Sequence, residues 1–112
     1  MNHPIRAFCI HANDNVATLL DDAAEKLIVH VLGASSVSQI LSLEKIMLGH
    51  KIALRDFAPG DPIIKFGVQI GRASQKILAG QWIHLHNCES LFDERSQTLE
   101  LHTGAATDTK YE

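Results

Sequence analysis

Seven histidines among 112 residues are the one compositional excess of this chain. Two of them, His84 and His86, stand two apart in the run Trp82-Ile83-His84-Leu85-His86-Asn87. Read as a strand, that spacing puts both imidazoles on one face. Such a pair can share a metal ion, hold an anion or pass a proton near neutral pH. A metal centre needs at least a third ligand and supporting hydrogen bonds. The competing reading is a pair of polar residues on a solvated sheet face, opposite Ile83 and Leu85. A third histidine, His50, follows Gly49 and precedes Lys51. In a strand His50 would share its face with Ile52 and Leu54, at the edge of a core, while Lys51 and Arg55 share the other. A lysine there can hold a carboxylate or, if desolvated, act as a base; otherwise it is simply solvated.

The other polar residues read more plainly. Lys65, between Ile64 and Phe66, reaches solvent along its own aliphatic stem. Gly67 and Gly71 with Arg72 are only loosely an anion nest. Asn13 and Asp14 suit a helix cap. Cys9 and Cys88 read as small apolar residues rather than nucleophiles, and two cysteines make no disulfide framework. No carboxylate pair, nucleophile–base pair or phosphate loop stands out.

The elements that must position these residues are short. Ile5–His11 is rich in β-favouring types and reads as a first strand. Val16, Leu19, Leu20, Ala23, Ala24 and Leu27 recur at helical spacing after Asp14, which predicts a helix of two to three turns. Strands follow over Leu27–Leu32 and Val37–Leu43, then over Ile52–Leu54, Ile63–Phe66, Val68–Ala73 and Trp82–Asn87. Pro59-Gly60 fits the centre of a type II turn. No internal repeat is evident. Many short strands with glycine turns and one short N-terminal helix predict a compact, mostly β, barrel-like domain. Residues 1–92 form that domain, and 93–112, without a core-forming pattern, read as a C-terminal tail or partner-binding arm.

Composition sets the outer bounds. Hydrophobic content of 46% with 21% charged residues is that of an ordinary globular domain, and 112 residues suffice for one core. A net charge of −3 gives no basic footprint for nucleic acid. No apolar run is long enough to span a bilayer, and the N-terminus lacks a signal-peptide pattern. A cytoplasmic location is the default for so few cysteines.

Four stretches together resemble the SAF domain of the altronate and galactarate dehydratase family. They are Gly49-His50-Lys51-Ile52-Ala53-Leu54, Gly60-Asp61-Pro62-Ile63-Ile64-Lys65-Phe66-Gly67, Ile70-Gly71-Arg72-Ala73 and Trp82-Ile83-His84-Leu85-His86-Asn87. Asp14-Asn15-Val16-Ala17 matches the family's early segment, so the resemblance runs over residues 8–92. One turn departs from it: where the family usually has glycine, this chain has Ala23-Ala24-Glu25-Lys26.

The resemblance implies a β-clip fold that works beside a large catalytic subunit or domain. This chain then looks like the stand-alone small subunit of a two-component hydro-lyase that dehydrates a sugar acid to a 2-keto-3-deoxy acid. The sulfolactate sulfo-lyase small subunit is the nearest alternative. A non-catalytic ligand-binding or assembly module, self-sufficient as a homo-oligomer, is the alternative from another class. A divalent metal, iron or manganese, accompanies the dehydratases of the family. Elimination next to a carboxylate needs a base, an acid for the leaving group and stabilisation of the enediolate. His50, His84 and His86 are the catalytic candidates, Lys51 and Asn87 the substrate-binding ones, and His84 and His86 the candidate metal ligands.

Overall fold

The computed structural model describes residues 4–90, and among these there is no helix. The expected arm at 93–112 lies outside the described residues. Nine short strands are present: β1 (Ile5–Cys9), β2 (Val16–Leu19), β3 (Ile28–Gly33), β4 (Gln39–Leu41), β5 (Lys51–Ala53), β6 (Pro62–Lys65), β7 (Val68–Ala73), β8 (Trp82–Ile83) and β9 (Cys88–Ser90). A curled six-stranded sheet runs in the order β4-β3-β1-β2-β5-β8, and a three-stranded sheet in the order β6-β7-β9. Only the β1–β3 pair is parallel among the strand pairs of these residues. The mostly β expectation holds.

The expected helix after Asp14 is replaced by strand. Val16–Leu19 pairs with β1 on one side and β5 on the other. Its neighbours on both sides are strands, so Val16 and Ala17 are buried against opposite faces and not along one stripe. The helical spacing continues only by coincidence, because Leu20 and Leu27 are exposed and Ala23 is buried in a bridge. Asp14 therefore caps no helix. Its carboxylate accepts the backbone N–H groups of His11, Phe66 and Gly67 at 3.1, 3.0 and 2.7 Å.

The chain contains a seven-residue unit that the sequence reading missed. It runs Ala23–Val29, Ile46–Ile52, Phe57–Ile63 and Ile77–Ile83. The first and seventh residues of every copy are almost wholly buried. The turn between them closes in the same way in three copies, with His50, Asp61 and Gln81 N–H donating to the carbonyls of Met47, Ala58 and Leu78 at 3.0 Å each. The fourth position is glycine in these three, with φ near +90°, a conformation that costs an L side chain steric energy. Pro59-Gly60 occupies the turn centre as expected.

The units work in pairs. Ala23 and Ile46 exchange both backbone hydrogen bonds, as do Phe57 and Ile77. The acid preceding the first unit of each pair then holds the turn of the second: Asp22 accepts Leu48 N–H and Asp56 accepts Ala79 N–H, both at 2.8 Å. The first pair closes a core of Leu19, Val29, Ile46 and Ile52 with β1 and β3, and the second closes one of Phe57, Ile63, Ile77 and Ile83 between the sheets. Burying one such side chain stabilises the fold by roughly 1.5–3 kcal/mol.

Asn15 fastens the two sheets together. Its N–H donates to the Ile64 carbonyl, its Oδ1 accepts Ile64 N–H, and its Nδ2 donates to the Pro62 carbonyl. The β6–β7 hairpin turns on Phe66 and Gly67, both at positive φ, and their N–H groups are the ones held by Asp14. That pairing of dihedrals is the primed turn that matches strand twist.

Candidate functional site

β5 and β8 are adjacent antiparallel strands, with Ile52 opposite Trp82 and Lys51 opposite Ile83. This register places the residues around His50 against those around Trp82. Trp82 is the hub of the resulting cluster. Its Nε1–H donates to His50 Nδ1 at 3.2 Å, and the two rings meet edge-on at 5.5 Å and 72°. His84 stacks on the indole at 5.1 Å and 12°, and His86 lies against it at 5.0 Å and 46°. His50 and His84 also touch each other, with centroids 5.3 Å apart. All three candidate histidines thus reach one tryptophan. His50, Trp82 and His84 are half-buried, and His86 is exposed.

The route to this arrangement is not the one the spacing suggested. The last run does not continue as strand: β8 ends at Ile83, and residues 84–87 form a turn. The turn exists because of Asn87, whose buried side chain accepts His84 N–H at 3.0 Å and donates to the Trp82 carbonyl at 2.8 Å. Its backbone N–H closes the turn on the His84 carbonyl. Both functional groups of the Asn87 amide are therefore engaged in shaping the turn that seats His84 on the indole. Leu85, expected to face inward with Ile83, is exposed at the turn tip.

Lys51 is not part of this cluster. Ile52 belongs to the core beside Trp82, whereas Ala53 and Ile83 belong to the core between the sheets. Strand alternation sends Lys51 to that second side, away from His50. The ammonium of Lys65 is held below the usual lysine range by burial and then by the charge of Lys51, and Asp14 offsets part of this. Lys65 is thus half-buried rather than freely extended into solvent. Burial, with the charge of Asp14 adding to it, pushes the Cys9 thiol up, which suits an inert core residue.

The hydrogen bond from Trp82 defines one chemical property of the site. A nitrogen that accepts an N–H carries no proton, so neutral His50 presents its hydrogen on Nε2. His50 is then a donor toward anything in front of it. Among the described residues no three His, Cys, Asp or Glu side chains are arranged to hold a metal ion. His84 and His86 do not complete such a set, and the residues described do not by themselves fit the metal that the resemblance implies.

Trp82 itself was missed as a site residue. The signal was present, since the chain has one tryptophan and it stands two residues before His84.

A family model described as the altronate/galactarate dehydratase SAF domain matches residues 5–91. The chain belongs to this family. Relatives within it include the altronate dehydratases of Bacillus subtilis, 41% identical over 72% of this chain, and of Escherichia coli, 40% identical over 79%. The chain spans 16% and 17% of the length of those two enzymes. The (2R)-sulfolactate sulfo-lyase subunit alpha of Chromohalobacter salexigens is 33% identical over 74% of this chain and is matched over 93% of its own length.

Proposed function

We propose that this chain is the small component of a two-component hydro-lyase, a cytoplasmic SAF domain of β-clip type that completes its site only with a large catalytic subunit. The substrate class is a small hydroxy acid, a sugar acid of the altronate or galactarate type dehydrated to a 2-keto-3-deoxy acid. The observation that carries this reading is the convergence of His50, His84 and His86 on Trp82 in a chain of this family.

The geometry suits the task. Removing the proton next to a carboxylate builds negative charge on the carboxylate oxygens, and a donor aimed at them lowers the barrier. His50 supplies such a donor through Nε2–H while Trp82 holds Nδ1. In this reading His84 and His86 deliver a proton to the departing hydroxyl. The large subunit supplies the remaining groups.

A second reading has an observation of its own. The sulfo-lyase subunit alpha is matched over nearly its whole length, and that of Paracoccus pantotrophus is 38% identical over 45 residues. In that case the leaving group is sulfite rather than water, and the proton requirement at His84 and His86 falls away.

Co-purification with a large subunit of the family, followed by assays for 2-keto-3-deoxy acid and for sulfite, separates the two. His84→Ala is expected to lower elimination by about 100-fold or more while the domain keeps its parental melting temperature. Full activity of that variant would remove His84 from the site, and failure to bind any large subunit would favour the assembly module.

A further inference from the structure

The turn that ends at His50 and the turn that begins at His84 stand side by side. Lys51 faces Ile83 across β5 and β8, so the residues just before Lys51 lie beside those just after Ile83. The His50 and His84 rings, with centroids 5.3 Å apart, close the junction. Each turn also carries large apolar side chains away from the core. Leu48 and Leu85, 59% and 58% exposed, are the two most exposed large apolar residues among those described, and Met47 is exposed next to Leu48.

The fold does not require these side chains. Met47 and Leu48 are the second and third residues of their seven-residue unit. The same positions hold Ala24-Glu25, Ala58-Pro59 and Leu78-Ala79 in the other three units. Only the unit that carries His50 has a large apolar residue at both. Leu85 has no inward role either, because Asn87 shapes its turn through backbone groups of His84 and Trp82. Scattered exposed leucines are ordinary, whereas apolar residues grouped around polar ones mark an interaction surface.

This rim is held in place before anything binds. Asp22 accepts Leu48 N–H at 2.8 Å, Gly49 N–H donates to the Leu19 carbonyl at 2.9 Å, and Gly49 takes φ +90°. Asn87 fixes the other turn. A surface already in one conformation loses little entropy when it is covered. Two observations indicate what covers it. The rim adjoins His50, Trp82 and His84, so a partner seated on it also meets the imidazoles. In the two altronate dehydratases the length matched by this chain is only 16% or 17% of the polypeptide, so a domain of this kind has far more protein to pack against.

We propose that Met47, Leu48 and Leu85 form the docking rim for the large catalytic subunit, whose matching surface is apolar and closes over the histidine cluster. The proposal rests on the two-component reading and deepens it by setting the joint between the subunits at the histidines. Closure takes water away from His50 and His84, which strengthens the hydrogen bonds they give to an anion.

The test uses the full chain and the large subunit with which it co-purifies, with the dissociation constant measured by calorimetry. Leu48→Asp and Leu85→Asp alter exposed positions and should keep the parental melting temperature. Each should weaken binding about tenfold or more. Val68→Asp is the matched control: Val68 is 56% exposed, but it follows Gly67, which packs against His11 at the other end of β1. That variant should bind as the parent does. Binding within about twofold of the parent in both rim variants, or equal weakening in Val68→Asp, overturns the rim and leaves the two-component reading standing. Failure of the parent to capture any large subunit removes that reading and the rim with it. A parent that is dimeric alone, and monomeric as Leu48→Asp, assigns the rim to a second copy and overturns the proposal.

Discussion

Replacing Asn87 separates two roles that its chemistry allows. As a substrate ligand, its loss would weaken substrate binding and leave the domain intact. As the keystone of the turn, its loss acts on stability first. Asn87→Ala removes two side-chain hydrogen bonds, of 3.0 and 2.8 Å, and leaves the His84 N–H and the Trp82 carbonyl without those partners. Each such bond contributes about 1 kcal/mol, and a stranded buried group costs more. Half-exposure of the turn lets water repair part of this, so about 2–3 kcal/mol in total is expected. For a domain of this size that lowers the melting temperature by about 10–20 °C. Asn87→Asp should fare no better, because a carboxylate still accepts from His84 but faces the Trp82 carbonyl with no hydrogen to donate. Urea or thermal unfolding gives the energy, and the fluorescence of the single tryptophan reports whether the imidazole stack on Trp82 is kept. A melting temperature within about 3 °C of the parent for Asn87→Ala would refute the turn assignment and return Asn87 to the binding candidates.

Further outcomes follow from backbone and charge. Lys26 stands at the fourth position of the first unit with φ +65°, where the other copies have glycine. Lys26→Gly should therefore be neutral to stabilising by up to about 1 kcal/mol in urea unfolding. Gly60→Ala should cost about 1 kcal/mol from φ alone, since its Cβ would enter open space. Gly80→Ala must cost more, because there a Cβ collides with the Leu41 carbonyl; an order of Gly60→Ala above Gly80→Ala contradicts the packing. For Lys65, whose folded pKa is lowered, the native state binds fewer protons than the unfolded one between that pKa and the unfolded value near 10.4. Stability gained from this residue therefore rises with pH across that window. Lys65→Met removes this dependence, so the stability difference between variant and parent should move in the parent's favour as pH climbs toward 10.5, and a constant gap would contradict the burial of the charge.

Much of the strand content was legible because short β-branched runs between turn residues have few other uses. β1, β3, β6 and β7 lie close to their expected places for that reason. The helix was not, because Val16, Leu19 and Ala23 are buried by three different neighbours, and a linear pattern carries no sign of which neighbour buries a residue. β8 is shorter than its alternation predicts for a related reason. Ile83 and Leu85 alternate as strand residues do, but the amide of Asn87 bends the chain, and a side chain that bonds backward along its own segment is invisible to periodicity. The histidine cluster was anticipated by residue type and reached by a different geometry: two imidazoles gather on Trp82 through a turn, and His50 comes from the neighbouring strand.

The seven-residue unit ties these observations together. Its first and seventh positions are constrained by burial, and its fourth by a positive φ that glycine takes in three units and Lys26 in the first. Position five caps its own turn in the third and fourth units, where Asp61 accepts Ala58 N–H and Gln81 accepts Leu78 N–H, both at 2.8 Å, whereas position six begins a strand whose inner face the seventh residue already fills. In the second unit these are His50 and Lys51, and in the fourth they are Gln81 and Trp82. Those are the two units whose strands, β5 and β8, pair directly. Alternation then divides the chemistry between two sides, with His50 and Trp82 on one and Lys51 on the other. Such a scaffold can exchange His50 and Lys51 at low cost to the fold, because the energy resides in Ile46, Ile52, Ile77 and Ile83. Truncating any of these four to alanine should cost about 2–5 kcal/mol, whereas His50→Ala or Lys51→Ala should leave unfolding within about 1 kcal/mol of the parent. The reverse order would mean that the histidine cluster holds the fold rather than a ligand.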